Sequence, residues 1–346
     1  MTDSQASERP AFGAKTVLNP ESSSFRKILS RPGFQPFFWT QSLGALNRNL
    51  YIAIVSFRAM HAAGYFWLAG AALAAPFLLF SGYAGYLAGR FRKRSVLIGA
   101  KAFEIFAMTL GLASFFSTRI EPTLAALFLI ALDAAIFSPA KYGILAEILP
   151  EQDLSRANAL LEMSASAAIV LAGFAGWIFR PAEPWVMGLA MMGLAMIAVA
   201  IAGFLVSLRI PATGTAPSGE SFAFTGTRGL LRDRPMLLAV IAISSFWFLA
   251  ALVPLDLLLV GREVMKLSDV RIAGMLAALV TGFGAGSMLA GRLSGEKIEL
   301  ALAPIGAAWI GIGGITAYLA MSYTAFLAAL ALMGMAGGLF LVPMSA

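Results

Sequence analysis

An all-helical protein that crosses a membrane many times is the fold this sequence predicts. Three observations carry that reading. Ten apolar runs fill the chain from residue 34 onward, each near the ~20 residues that an α-helix needs to cross ~30 Å of hydrocarbon. Apolar residues make up 59% of the chain and charged residues only 12%, and the charges gather in the links between runs. The mean hydropathy of +0.82 makes the bilayer the natural solvent.

Residues 1–33 are polar and rich in Ser, Pro and Gly. They lack the apolar core and small-residue cleavage site of a signal peptide, so a disordered cytoplasmic tail is expected. Helices are then expected at 34–57, 64–89, 95–117, 123–148, 157–179, 184–208, 235–260, 269–291, 300–320 and 324–346. Between the sixth and seventh lies a long polar stretch, 209–234, with Pro211, Gly214, Pro217, Gly219 and Gly226. It reads as a flexible cytoplasmic linker. The chain thus divides into a six-helix bundle (34–208) and a four-helix remainder (235–346). An internal echo supports this division. Leu87-Ala88-Gly89-Arg90-Phe91 closes the second helix and Leu289-Ala290-Gly291-Arg292-Leu293 closes the eighth, with Gly82 and Gly284 at the same offset.

The net charge of +7 is a topology signal rather than a nucleic-acid signal. With the N-terminus cytoplasmic, sixteen Lys and Arg fall on the inner side and six on the outer, the bias that orients membrane proteins. A multi-pass membrane location with a cytoplasmic N-terminus follows as an expectation. The single His61 falls in an expected outer loop, and there is no Cys. Disulfides and thiolate metal sites are therefore excluded. No nucleophile–base–orienter set, metal cluster or phosphate loop is visible, so neither an enzyme nor a cofactor is predicted.

Charged side chains inside a membrane are costly and mark function by default. The first span holds Gln41, Asn47, Arg48 and Asn49, and the fourth holds Asp133. Arg48 and Asp133 reach similar depths, so an ion pair between them is expected. Lys141 and Tyr142 follow toward the inner end of the fourth span, and Asp256 lies toward the outer end of the seventh. Lys101 and Glu104 are three apart on the third span, a spacing that permits a pair along one helix. Gly85-xxx-Gly89 and Gly334-xxx-Gly338 put small residues on one helix face, where helices can approach closely. The mixed charges and wide apolar walls suit an amphiphilic, zwitterionic or anionic ligand.

Four segments carry a family resemblance, Leu293–Leu300 and Gly338–Pro343 among them. The link Gly85-Tyr86-Leu87-Ala88-Gly89-Arg90-Phe91-Arg92-Lys93-Arg94 resembles the loop between the second and third helices of the major facilitator superfamily. The block from Phe137-Ser138-Pro139-Ala140-Lys141-Tyr142-Gly143 to Arg156-Ala157-Asn158-Ala159-Leu160-Leu161-Glu162-Met163 is similar to the lysophospholipid transporter family within it. The resemblance implies a twelve-helix, two-bundle fold, of which ten helices are found here, and alternating access about a site lined by the first, fourth, seventh and tenth helices. It implies a lysophospholipid substrate, with Gln41, Asn47, Arg48, Asn49, Asp133, Lys141, Tyr142 and Asp256 around it. Gating is assigned to Gly85, Arg90, Arg94, Lys101, Glu104, Glu162 and Arg292. The implied partners are membrane lipids, an acyltransferase and an acyl-carrier-protein synthetase. The sequence departs from the family at Arg48, where an acid is usual, at Asp133, where a neutral polar residue is usual, and at Gly89, where an acid is usual. An exporter of amphiphilic small molecules and a non-transporting membrane partner of an acyltransferase are the alternative readings.

Overall fold

The computed structural model describes residues 25–61, 65–178, 185–212, 233–294 and 299–345. Among them every regular element is helical. A short α1 (Phe25–Leu29) precedes α2 (Phe34–His61), α3 (Phe66–Arg90), α4 (Lys93–Phe115), α5 (Glu121–Ile148), α6 (Glu151–Ile178) and α7 (Trp185–Ser207). Then follow α8 (Arg234–Leu259), which ends in a π-turn over Val260–Val264, α9 (Asp269–Leu293), α10 (Leu302–Tyr318) and α11 (Tyr323–Met344). Eight of these helices are long and apolar enough to cross a membrane. The polar-studded α2 and the 17-residue α10 complete the ten expected runs.

Several boundaries differ from expectation, each for a local reason. Residues 25–29 are not an unstructured tail: Phe25, Ile28 and Leu29 share one helical face, and Ile28 is fully buried beside Phe34 and Phe37. His61 closes α2 rather than lying in a loop. α6 begins at Glu151, six residues early, because Pro150 is followed by acidic Glu151 and Asp153 in the first turn, where the helix dipole favours negative charge. Most of the expected linker lies outside the described residues.

In the first half, α5 packs on α3 and α4, while α2 packs on α6 and α7. Two apolar clusters fill this half. One gathers Ile28, Phe34, Phe37, Leu97, Ile144 and Leu160. The other gathers Tyr51, Met108, Phe115, Leu127 and Met196. In the second half, α11 packs on α9 and α10. The Gly334-xxx-Gly338 expectation holds there. A Cβ at Gly282 or Gly286 would collide with the Ala331 or Met335 carbonyl, and one at Gly334 or Gly338 with the backbone of α9. The helices therefore touch backbone to backbone. Gly85, by contrast, faces open space; Ala84 and Ala88 are the buried small pair of α3.

The halves meet through α6 and α9. A Cβ on Gly291 would come within 2.6 Å of Ala159 Cβ, and one on Gly284 within 3.1 Å of Ser166 Cβ. Asn158 Nδ2 also donates to the Ser345 carbonyl at 2.9 Å. Seven residues further along α6, Gly173 is exposed and its Cβ would meet nothing within 4 Å. The two helices thus touch at one end and part toward the other.

Candidate functional site

The site is assembled from three helices of the first half. On α2, Gln41, Gly44, Ala45 and Arg48 recur at helical spacing and line one face of a cleft. α4 contributes Lys101, Glu104 and Met108, and α5 contributes Ile130, Asp133, Ala134 and Phe137. Arg48 lies fourteen residues into α2 and Asp133 twelve into α5, about 21 Å and about 18 Å along their axes at ~1.5 Å per residue. Both are therefore near mid-span. The cleft is small, ≈ 20 Å³, room for about one water. It sits between the two apolar clusters, so its charges form a polar layer flanked by apolar packing.

Within this layer Lys101 and Glu104 are almost completely buried and pair at 2.6 Å. Asn47 Nδ2 donates to the second Glu104 oxygen at 2.8 Å. Lys101 Nζ also lies 4.9 Å from the centroid of the Phe137 ring, within cation–π range. Gly44 makes room for this: a Cβ there would occupy the position of the Lys101 ammonium. Glu104 thus has both oxygens engaged. Asp133, 8% exposed, does not: its Oδ1 is buried without a hydrogen-bond partner.

The expected Arg48–Asp133 ion pair is not made. Both side chains line the same cleft and interact electrostatically, but no salt bridge joins them among the described residues. Lys101 and Glu104 share the cleft and pair with one another, so it holds four charged groups rather than two.

The remaining expected site residues distribute unevenly. Gln41, Arg48 and Asp133 line the cleft, and Asn47 reaches it through Glu104. Asn49 turns back to the Ala45 carbonyl of its own helix at 2.7 Å. Lys141 faces Glu162 on α6 at 3.8 Å and lies 4.9 Å from the Tyr142 ring centroid, outside the cleft lining. Asp256 is exposed on α8. Of the residues assigned to gating, Lys101 and Glu104 belong to the cleft. Arg94 donates to the Ile210 carbonyl at 2.6 Å and the Leu208 carbonyl at 2.8 Å, so it fastens α4 to the end of α7 within one half. Arg90 is exposed, and Arg292 lies 5.9 Å from the Phe25 ring centroid. Gly44 and Phe137 were not singled out from sequence, although Gly44 stands one turn before Arg48.

A second concavity, apolar and ≈ 570 Å³, opens between α9 and α11. Ala277, Ala278, Thr281, Gly282 and Ala285 line one side and Ala331, Leu332 and Met335 the other. Ala277 is two turns from Gly284, on the face of α9 that meets α6.

A helical membrane protein whose first half buries a mixed-charge cleft at mid-span, and whose two halves meet along one helix seam, has the architecture of a transporter. The family model of the Major Facilitator Superfamily matches residues 36–346, and the chain belongs to that superfamily. A protein of Enterobacter sp. (strain 638) named "Lysophospholipid transporter LplT" is 31% identical over 283 residues, which cover 78% of this chain and 67% of that one. A protein of the same name from Yersinia enterocolitica is 29% identical, covering 80% and 67%. Among solved structures, the human organic anion transporter MFSD10 superposes with a TM-score of 0.74 at 14% identity, covering 91% of this chain and 84% of that one. The transporter FucP, in its outward conformation, superposes with a TM-score of 0.72 at 16% identity, covering 90% and 82%. At such identities the solved structures speak for the fold alone.

Proposed function

We propose that the chain is a secondary transporter of lysophospholipids, working by alternating access in a bacterial inner membrane with its N-terminus cytoplasmic. The observation that carries this reading is the mixed-charge cleft at mid-span of the first half, lined by Arg48, Lys101, Glu104 and Asp133. A lysophospholipid needs a cation for its phosphate, an acid for an amine headgroup and an apolar path for one acyl chain. Arg48, the cleft cation with no described carboxylate in salt-bridge contact, takes the phosphate. Asp133, with one oxygen unpartnered, takes the amine. The groove between α9 and α11 takes the chain. Because the cleft itself holds about one water, the headgroup enters by displacing side chains at its mouth as the halves rock. The excess of Lys and Arg on the sixteen-residue side supports the orientation, and 34–208 and 235–346 act as the two rocking units about the 209–234 linker.

The test is flipping of fluorescent lysophosphatidylethanolamine by the purified chain in vesicles. Arg48→Ala is expected to lower the rate at least tenfold. An unchanged rate removes Arg48 from the mechanism. Competition by unrelated amphiphiles at equal potency selects an exporter of broad specificity instead. Co-purification with an acyltransferase in the absence of flipping selects a membrane partner of that enzyme.

A further inference from the structure

The seam between α6 and α9 holds a second group of polar atoms, remote from the cleft. The two helices run antiparallel, and their contacts fix a register. Gly284 opposes Ser166 and Gly291 opposes Ala159, seven residues apart on both sides. One turn further toward the closed end, the same register sets Ser294 opposite Arg156. Arg156 is 7% exposed, Ser294 2% and the neighbouring Ser155 2%. Arg156 Nη1, Ser294 Oγ and Ser155 Oγ are each shielded from solvent and without a hydrogen-bond partner. No described carboxylate forms an ion pair with Arg156. Asp153, one turn earlier on α6, is held by Arg31 at 2.5 Å.

A buried guanidinium without a counter-charge is strongly unfavourable, and three unsatisfied donors at one place compound the cost. What relieves it is an anion with several acceptor oxygens. The planar fork of arginine matches phosphate in particular. Depth agrees: Arg156 lies five residues from the start of α6, about 8 Å along the axis, near the level of lipid headgroups rather than mid-membrane. Arg292 beside Phe25 adds positive charge at the same end.

We propose that this end of the seam is a binding site for a phosphate group, carried by a membrane phospholipid or free in solution, which bridges Arg156 on α6 to Ser294 on α9. Occupancy fastens the two halves where they already touch and favours the arrangement closed at that end. The site is independent of the transport cleft.

The experiment uses the full chain, purified in detergent free of phospholipid, at constant ionic strength set with chloride. Its thermal unfolding midpoint is titrated with inorganic phosphate and, separately, with short-chain phosphatidylglycerol. A saturable rise is expected with at least one probe. Saturation by both assigns the site to any phosphate, and saturation by the lipid alone to a headgroup. Arg156→Gln is expected to weaken the apparent affinity at least tenfold and Ser294→Ala at least threefold, while Arg48→Gln leaves it unchanged. No saturable rise with either probe overturns the proposal, as does a native titration by both seam variants. Should Arg156→Gln fail to fold, Ser294→Ala decides alone. Loss of the effect in Arg48→Gln instead moves the phosphate to the cleft and overturns the seam site. Failure of Arg48→Ala to slow flipping leaves the seam site standing.

Discussion

The two halves of the chain repeat one packing scheme and fill it with opposite chemistry. A shift of 202 residues carries α3 onto α9 to within one residue and carries Glu121, the start of α5, onto Tyr323, the start of α11. α5 packs on α3 and α4 as α11 packs on α9 and α10. Yet the positions matching Arg48, Lys101, Glu104 and Asp133 hold Ala250, Ala303, Gly306 and Met335. Conversely, Phe80, Ala84, Leu132 and Ile136 become Gly282, Gly286, Gly334 and Gly338. The first half keeps α3 and α5 apart with side chains and buries charge. The second brings backbones into contact and buries none of these four charges. Helix packing is thus fixed by which positions are small, and the polar layer can be present or absent within it.

The largest effect should come from breaking the glycine interlock. Gly338→Leu must displace the backbone of α9, and loss of folded, monodisperse protein on size exclusion is expected. Gly85→Leu, facing open space in the other half, should leave elution unchanged; comparable loss in both would show that backbone contact is not what separates the halves. Next is the buried pair. Lys101→Ala leaves Glu104 uncompensated, at a cost of about 3–5 kcal/mol for a broken buried pair, read as a lowered unfolding midpoint in detergent. Lys101→Met with Glu104→Met should recover most of it, and no recovery would show that the cleft needs charge for folding. The smallest effect lies at a helix start. Ser322 caps α11, its Oγ accepting from the Ala325 amide at 3.2 Å, whereas the matching Ile120 gives α5 no side-chain cap. Ser322→Ala should cost ~1 kcal/mol, and Ile120→Ala should show no capping loss.

Much of this was legible in the sequence because membranes impose a simple code. Apolar run length gave the helices, and the echo at residues 87–91 and 289–293 gave the repeat. The family resemblance carried by residues 137–163 agrees with the match to the superfamily. Depth arithmetic put Arg48 and Asp133 in one layer. It could not show who touches whom, since that depends on helix rotation. Rotation places Lys101 and Glu104 in the cleft beside Arg48 and Asp133, and turns Asn49 back onto its own backbone. The glycine motifs show the same limit. Identical spacing at Gly85 and Gly334 has opposite outcomes, because spacing names a face but not what that face meets.

The backbone contact between α9 and α11 has a mechanical consequence. Two helices whose peptide groups already touch have no slack to slide or tilt against each other, and protein interiors yield in steps rather than smoothly. α9 and α11 therefore form one stiff unit. In the alternating-access reading proposed above, the stroke is taken up where α6 meets this pair, along Ala159, Ser166, Gly284 and Gly291.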